Sequence, residues 1–342
     1  MQFRCFIYTL QTKETFKTAH GSRNSIETII VELTDSEGIK GIGEAVPVPY
    51  YGYSAIQVKD ELERHRNIIE NYEITTPEIF WEYLNPYLKH IPSAQCALDI
   101  AVYDYLAQKA QKSLYRYLGL ELHDKIPISN YTIGLDSIEN MVAKMKAIDY
   151  PIYKIKLGTN QDVEIVKELR KYTDAIFRID ANCAWSAQQT IRYASSFKKF
   201  GVEFIEQPLK AQDIENMTEV RKHTKIPIIA DENCIMETDI EKCANYFDGV
   251  NIKLAKCGGI TPALRMIKKA KELNLKVMMG CMTESSIGIS AMAHLLPLLD
   301  YVDMDGALLI ANDPAKGVYL EYGEAIFSDK WGLGVQLIHQ FD

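Results

Sequence analysis

Seven cysteines are spread over 342 residues without a C-x-x-C pair, and an odd number suits reduced thiols better than a disulfide framework. No H-E-x-x-H motif is present, and the seven histidines fit no zinc-ligand pattern. Core or surface roles are expected for them, His294 included. Basic runs are missing too: the lysines are scattered over helical faces and the net charge is -8. Such a surface excludes a nucleic-acid or anionic-membrane partner. No window approaches the length of a membrane span, and the opening MQFRCFIYTLQTK has no long apolar stretch of the signal-peptide kind. A cytoplasmic location is therefore expected. What remains is 47% hydrophobic and 25% charged, ordinary for a globular chain of one large domain or two.

From about residue 126 onward, short apolar tracts recur roughly every 25 residues. They are Ile128–Thr132, Ile152–Lys156, Ala175–Ile179, Val202–Ile205, Ile226–Ala230, Gly249–Ile252, Lys276–Met279 and Leu299–Asp303. The spacing suits parallel strands with helical crossovers. Helix starts are signalled between them, by the capping-box pattern at Ser186 to Gln189 and by Thr261 before Pro262. Eight strands alternating with helices predict a closed TIM-type (β/α)7-8 barrel or an open doubly wound sheet. The first 118 residues read differently. Ile26–Leu33 and Ile39–Glu44 form a hairpin about Asp35-Ser36-Glu37-Gly38, and a long helix is predicted from about Ser93 to Leu118. The expected division is an α+β cap over 1–118, a barrel over 119–312, and a glycine-rich tail over 313–342 that returns to the cap.

Barrel active sites lie at the C-terminal ends of the strands. Those ends carry Lys154 and Lys156, Asp180, Glu206, Asp231, Lys253, then Asp303 and Asp305. A single carboxylate there could be a helix cap. Three successive strands ending in one, flanked by strands ending in lysine, are hard to explain that way. Converging carboxylate oxygens suit Mg2+, a hard cation that keeps positions open for substrate.

In Tyr153-Lys154-Ile155-Lys156-Leu157 the two lysines share one face of a strand. Alone, that pair could be the solvated face of an edge strand. In a closed barrel, Lys156 on the second strand and Lys253 on the sixth stand on opposite sides of the carboxylates. A carbon acid held between them would have an amine on each face, with Lys154 stabilising developing negative charge. Neighbouring cations would pull the Lys156 pKa down towards neutrality.

These residues resemble the enolase superfamily, muconate-lactonizing subgroup. The matching motifs are Lys154-Ile155-Lys156, Arg178-Ile179-Asp180-Ala181-Asn182, Ile205-Glu206-Gln207-Pro208, Ala230-Asp231-Glu232 and Asn251-Ile252-Lys253-Leu254-Ala255-Lys256-Cys257-Gly258-Gly259. Gly41-Ile42-Gly43-Glu44-Ala45 and the helix around Ala97 to Asp104 are similar to the family's capping domain. The resemblance implies acid/base roles for Lys156 and Lys253, Mg2+ ligands at Asp180, Glu206 and Asp231, and a structural Lys256. It further implies that Asp303-Met304-Asp305 marks a dipeptide epimerase of the kind acting on L-Ala-D/L-Glu, the two carboxylates holding the substrate's ammonium group. Thr132, Asn182 and Cys281 fall where the family contacts substrate.

The resemblance places the side-chain pocket in the loops near Lys17–Ser25 and Pro47–Ser54. Gly21 stands where members acting on Ala-Glu often carry arginine, with His20 and Arg23 close by; Tyr50, Tyr51 and Tyr53 could line an apolar pocket or simply pack. Glu284 has no assigned role. The same machinery would serve an o-succinylbenzoate synthase, an N-acyl amino acid racemase or a muconate cycloisomerase, though none of their substrates needs a carboxylate pair for an ammonium. A binding protein on a dead barrel would be expected to have lost a lysine or a carboxylate. A Schiff-base aldolase would have no use for three carboxylates. A homo-oligomer is compatible with the sequence.

Overall fold

The computed structural model describes residues 1–18, 21–47 and 52–338. His20, Tyr50 and Tyr51 lie outside the described residues. The N-terminal unit is an antiparallel sheet of β1 (Gln2–Thr18), β2 (Gly21–Thr34) and β3 (Lys40–Ala45), in that order. The hairpin between β2 and β3 is the one expected. The long β1 was not, because its polar and apolar residues alternate only in part. Helices α1 (Ala55–Arg64), α2 (Arg66–Glu70), α3 (Pro77–Leu88) and α4 (Pro92–Lys109) follow.

Helix α4 is apolar on most of its circumference, and nearly all of it is buried. On one side it lies on β3 so closely that a Cβ on Gly43 would stand 2.0 Å from the Ala97 carbonyl. On the other it meets the barrel, where Asp99 accepts hydrogen bonds from Thr261 N and Oγ1, both at 2.8 Å. Thr261 is therefore not the cap of its own helix, as the sequence suggested. That helix begins at Ile260 after Gly259, and an aspartate from α4 does the capping. The expected helix over Ser93–Leu118 is also corrected. It stops at Lys109, because Gln111 turns left-handed (φ 54°) and Lys112 N returns to the Ala107 carbonyl. A short turn, Leu114–Tyr117, replaces its last part.

Eight parallel strands form the second unit in chain order: β4 (Tyr131–Ile133), β5 (Ile152–Lys156), β6 (Ile176–Asp180), β7 (Val202–Glu206), β8 (Ile228–Ala230), β9 (Gly249–Ile252), β10 (Lys276–Gly280) and β11 (Tyr301–Asp303). A parallel bridge between Ser129 and Val302 joins the two ends into a barrel. The expected open-sheet alternative is thereby excluded. Among the described residues the tail holds short strands only, and Leu333 N donates to Asp104 of α4 at 2.7 Å, bringing the chain back to the cap.

Candidate active site

Register sets the site. Lys156 lies beside Asp180, and Asp180 beside Glu206, across β5, β6 and β7. Tyr153, Ile155 and Leu157 pack outward into the apolar layer, so Lys154 and Lys156 point into the barrel. The second crossing is supplied by Asp231 after β8 and Lys253 after β9.

The four lysines fall into two classes. Lys154 and Lys256 have side chains only 2% and 0% exposed, whereas Lys156 and Lys253 are each 12% exposed at the rim. The rim pair sits on β5 and after β9, four steps apart in a ring of eight strands, hence on opposite walls. Each amine touches a carboxylate: Lys156 Nζ lies 2.5 Å from Asp180 Oδ2, and Lys253 Nζ 2.8 Å from Asp231 Oδ2. Lys154 Nζ bridges Glu206 and Asp303 at 2.7 Å and Asp180 at 3.1 Å.

Burial alone would keep these acids protonated. For Asp180 the opposing charges of Lys156 and Lys154 outweigh burial and hold it below the usual carboxylate range. Lys253 and Lys256 do the same, more strongly, for Asp231. Glu206 is the exception: burial and the charge of Asp180 push it up to about 7. Burial disfavours the charged form of Lys154, but Asp303, Glu206 and Asp180 raise its pKa well above the ordinary value.

The donor set fits a hard divalent cation. Asp180, Glu206 and Asp231 offer oxygen only, and the buried Asn182 Oδ1 has no hydrogen-bond partner. Asn182 itself is held left-handed (φ 42°) with its N–H on Asp180 Oδ1 at 3.0 Å, which orients that carboxylate.

Sequence comparison agrees with this geometry. A model described as enolase C-terminal domain-like matches residues 136–340, and one described as the mandelate racemase / muconate lactonizing enzyme N-terminal domain matches residues 4–119. The chain belongs to the mandelate racemase / muconate lactonizing enzyme family. It is 52% identical over 331 residues to the L-Ala-D/L-amino acid epimerase of Flavobacterium johnsoniae, covering 97% of this chain and 98% of that one. A Maribacter protein of the same name is 52% identical over 339 residues, with 98% and 99% covered. The fold matches the dipeptide epimerase of Cytophaga hutchinsonii, a structure complexed with Mg and the dipeptide D-Ala-L-Val, with a TM-score of 0.92 and 28% identity over 98% of this chain and 95% of that one.

Lys154 joins Asp180 and Glu206 to a second acidic group. Ligand atoms of Cys281, Asp303 and Asp305 all lie within 4.8 Å of one another. Asp305 accepts the backbone N–H of Thr132 at 2.5 Å, and burial with the charge of Asp303 raises it to about 7. Asp303 goes the other way, because Lys154 outweighs its burial and lowers it. Burial and both aspartates push the Cys281 thiol well up, so it is no thiolate nucleophile.

Several buried polar residues escaped the sequence reading. Asn251 donates to Glu206 Oε1 at 2.7 Å, and Gln207 Oε1 accepts the Asp231 N–H at 2.9 Å. Asn130 donates to Asp303 Oδ1 at 2.7 Å. Asn251 and Gln207 stood inside the motifs already singled out, so a polar residue in an otherwise apolar tract was the available signal. Asn130 had none. Lys256, expected to be structural, is a direct partner of Asp231 at 2.5 Å.

Glu284 is buried beside Glu44, and the rim lysine Lys253 is among the charges that act on it. Its Oε1 accepts the Met282 N–H at 2.8 Å, and burial plus the charge of Glu44 pushes it up to about 8. Glu44, on β3 of the cap, takes Ser285 N at 3.1 Å and Gly288 N at 2.9 Å, clasping the start of a barrel helix. Of the loop residues singled out, Arg23 is exposed and Tyr53 half-buried, its hydroxyl 3.4 Å from Ser93 Oγ. His294 is a core residue that accepts the Tyr115 N–H at 3.2 Å.

Proposed function

We propose that the protein is a Mg2+-dependent dipeptide epimerase that inverts the α-carbon of the C-terminal residue by two-lysine 1,1-proton transfer. One observation carries the reading: of four lysines around the carboxylates, one on each of two opposite walls stands at the accessible rim. A racemising proton transfer needs one base on each face of the carbon, and the rim pair is the more exposed of the two pairs. Asp180, Glu206 and Asp231 would hold the ion through oxygen. Bound there, Mg2+ supplies a Lewis acid that acidifies the proton next to a carboxylate.

Lys156 or Lys253, whichever is neutral, accepts the α-proton, and the other ammonium delivers one to the opposite face. Their exchange of protonation states gives both directions of reaction. The buried Lys154 ammonium stabilises the negative charge that develops as the proton leaves. Asp303 and Asp305 receive the substrate's free ammonium group, with Thr132, Asn182 and Cys281 bordering the same space. The relatives' names support an alanine at the amino-terminal position and latitude in the second residue. The reading keeps the cap over 1–118, the barrel over 119–312 and the returning tail over 313–342, and a cytoplasmic setting, supported by seven free cysteines.

The test is deuterium incorporation from solvent, followed by mass spectrometry across a library of L-Ala-L-Xaa dipeptides with added Mg2+. Exchange and inversion at the second α-carbon are expected. Absence of exchange with every dipeptide, in protein shown to bind Mg2+, would overturn the proposal.

A further inference from the structure

The barrel closes weakly through its backbone. Only one bridge, Ser129 to Val302, is formed between its first and last strands among the described residues. Side chains do the rest, and they grip three consecutive positions of the last strand's end. Asn130 Nδ2 donates to Asp303 Oδ1 at 2.7 Å, Met304 N donates to Ser129 Oγ at 2.9 Å, and Thr132 N donates to Asp305 Oδ2 at 2.5 Å. The seam that closes the barrel is thus also the mount of Asp303 and Asp305.

Asn130 stands at its centre, fully buried. Its amide has a carboxylate on one side and a guanidinium on the other. Arg178 Nη1 donates to Asn130 Oδ1 at 3.3 Å and to the Val302 carbonyl at 2.9 Å. The amide meets both demands, giving a donor to Asp303 and an acceptor to Arg178. Arg178 in turn is immobilised, with Glu203 at 2.7 Å from Nε and the rings of Phe204 and Tyr301 each 5.3 Å from its guanidinium carbon. Asp303 Oδ2 is meanwhile taken by Lys154 at 2.7 Å. With one oxygen on Asn130 and the other on Lys154, the carboxylate cannot rotate without losing a buried hydrogen bond.

We propose that Asn130, braced by Arg178, is a positioning residue for amino-terminus recognition: it fixes the Asp303 carboxylate in the orientation that receives the substrate's ammonium group. This rests on the epimerase reading, in which Asp303 and Asp305 bind that group. Asn130 touches neither substrate nor the reacting carbon, so its influence falls on binding and not on the proton transfer.

Steady-state kinetics on an L-Ala-L-Xaa dipeptide, with Mg2+ saturating, separate this role from a merely structural one. Asn130→Asp keeps the contact with Arg178 as an ion pair but turns a carboxylate on Asp303. It is expected to raise KM by about tenfold or more while kcat stays within about threefold in the protein that remains folded, the second buried carboxylate lowering the melting temperature as well. Asn130→Ala, which leaves Asp303 short of one partner without repelling it, is expected to raise KM less. A seam that matters only for folding would lower the melting temperature and the amount of active enzyme while leaving KM unchanged in both variants; that result overturns the inference. Asp303→Asn is the control for the underlying reading. If it raises KM and Asn130→Asp does not, the positioning role alone falls. If Asp303→Asn leaves KM unchanged, the ammonium assignment falls first and takes this inference with it.

Discussion

Lys256 Nζ lies 2.5 Å from Asp231 Oδ1, deep beneath the rim, while Lys253 holds the other oxygen of the same carboxylate at 2.8 Å. One acid is thus shared between a fully buried cation and an accessible one. The buried partner fixes the carboxylate, which leaves the accessible amine free to change its protonation.

Removing Lys256 should therefore expose the cost of an unpaired buried charge. Lys256→Met is expected to destabilise the metal-free protein by about 3–5 kcal/mol, the usual penalty for breaking a buried pair on one side. Adding Asp231→Asn should recover much of that loss. Urea denaturation of the two single variants and the double variant measures it, and simple additivity of the two losses would contradict the pairing.

The rim lysines should fail in a different manner. Lys156→Ala and Lys253→Ala are each expected to reduce epimerisation by about a thousandfold or more, in line with removal of a general acid/base group. Each variant should retain exchange of the α-proton from one enantiomer only, opposite for the two. Solvent-deuterium exchange with L- and D-configured second residues reads this directly; loss of exchange from both enantiomers in both variants would refute a base on each face.

In the proposed reading, Asp303→Asn removes the charge that receives the substrate's free amino terminus. KM for free dipeptides is expected to rise about 10- to 100-fold, the scale of a charge-assisted contact in a buried site. Binding of the matching N-acetyl dipeptide should change little. Equal weakening of both ligands in competition experiments would argue that Asp303 acts on the fold and not on the ammonium.

The Glu44–Glu284 region should make stability fall with pH. Glu284 rises from 4.5 to about 8 on folding, through burial and the nearby Glu44 charge, so the folded protein takes up a proton between those values. Its contribution is full below the unfolded pKa and is lost as pH rises through about 8. Asp99 and Asp104, both raised to about 7 by burial, slope the same way. Glu284→Gln is therefore expected to lose less melting temperature between pH 5 and 8.5 than the parent protein. Parallel melting curves across that range would show that Glu284 ionises normally.

Much of the architecture was legible in order along the chain. Apolar tracts about 25 residues apart announced parallel strands, and a charged residue at the ends of six of the eight announced a site at one mouth. These are local signals, since strand alternation and crossover length depend on near neighbours. The helix break after Lys109 was not legible, because Gln111 is an unremarkable residue until the tail brings Gly332 against Lys112 and Leu114. Nor was the Asp99 cap on Thr261, a contact between residues 162 apart.

By itself, then, the order of amino acids determined which strand ends carry charge and in what succession, for those follow from periodicity. Only the closed fold decided which lysines are buried and which stand at the rim. It alone set Asn130 between Arg178 and Asp303, 173 residues away. Closure joins the first strand to the last, and burial then forces every polar group trapped there to find its partner; neither effect exists until the ring is complete.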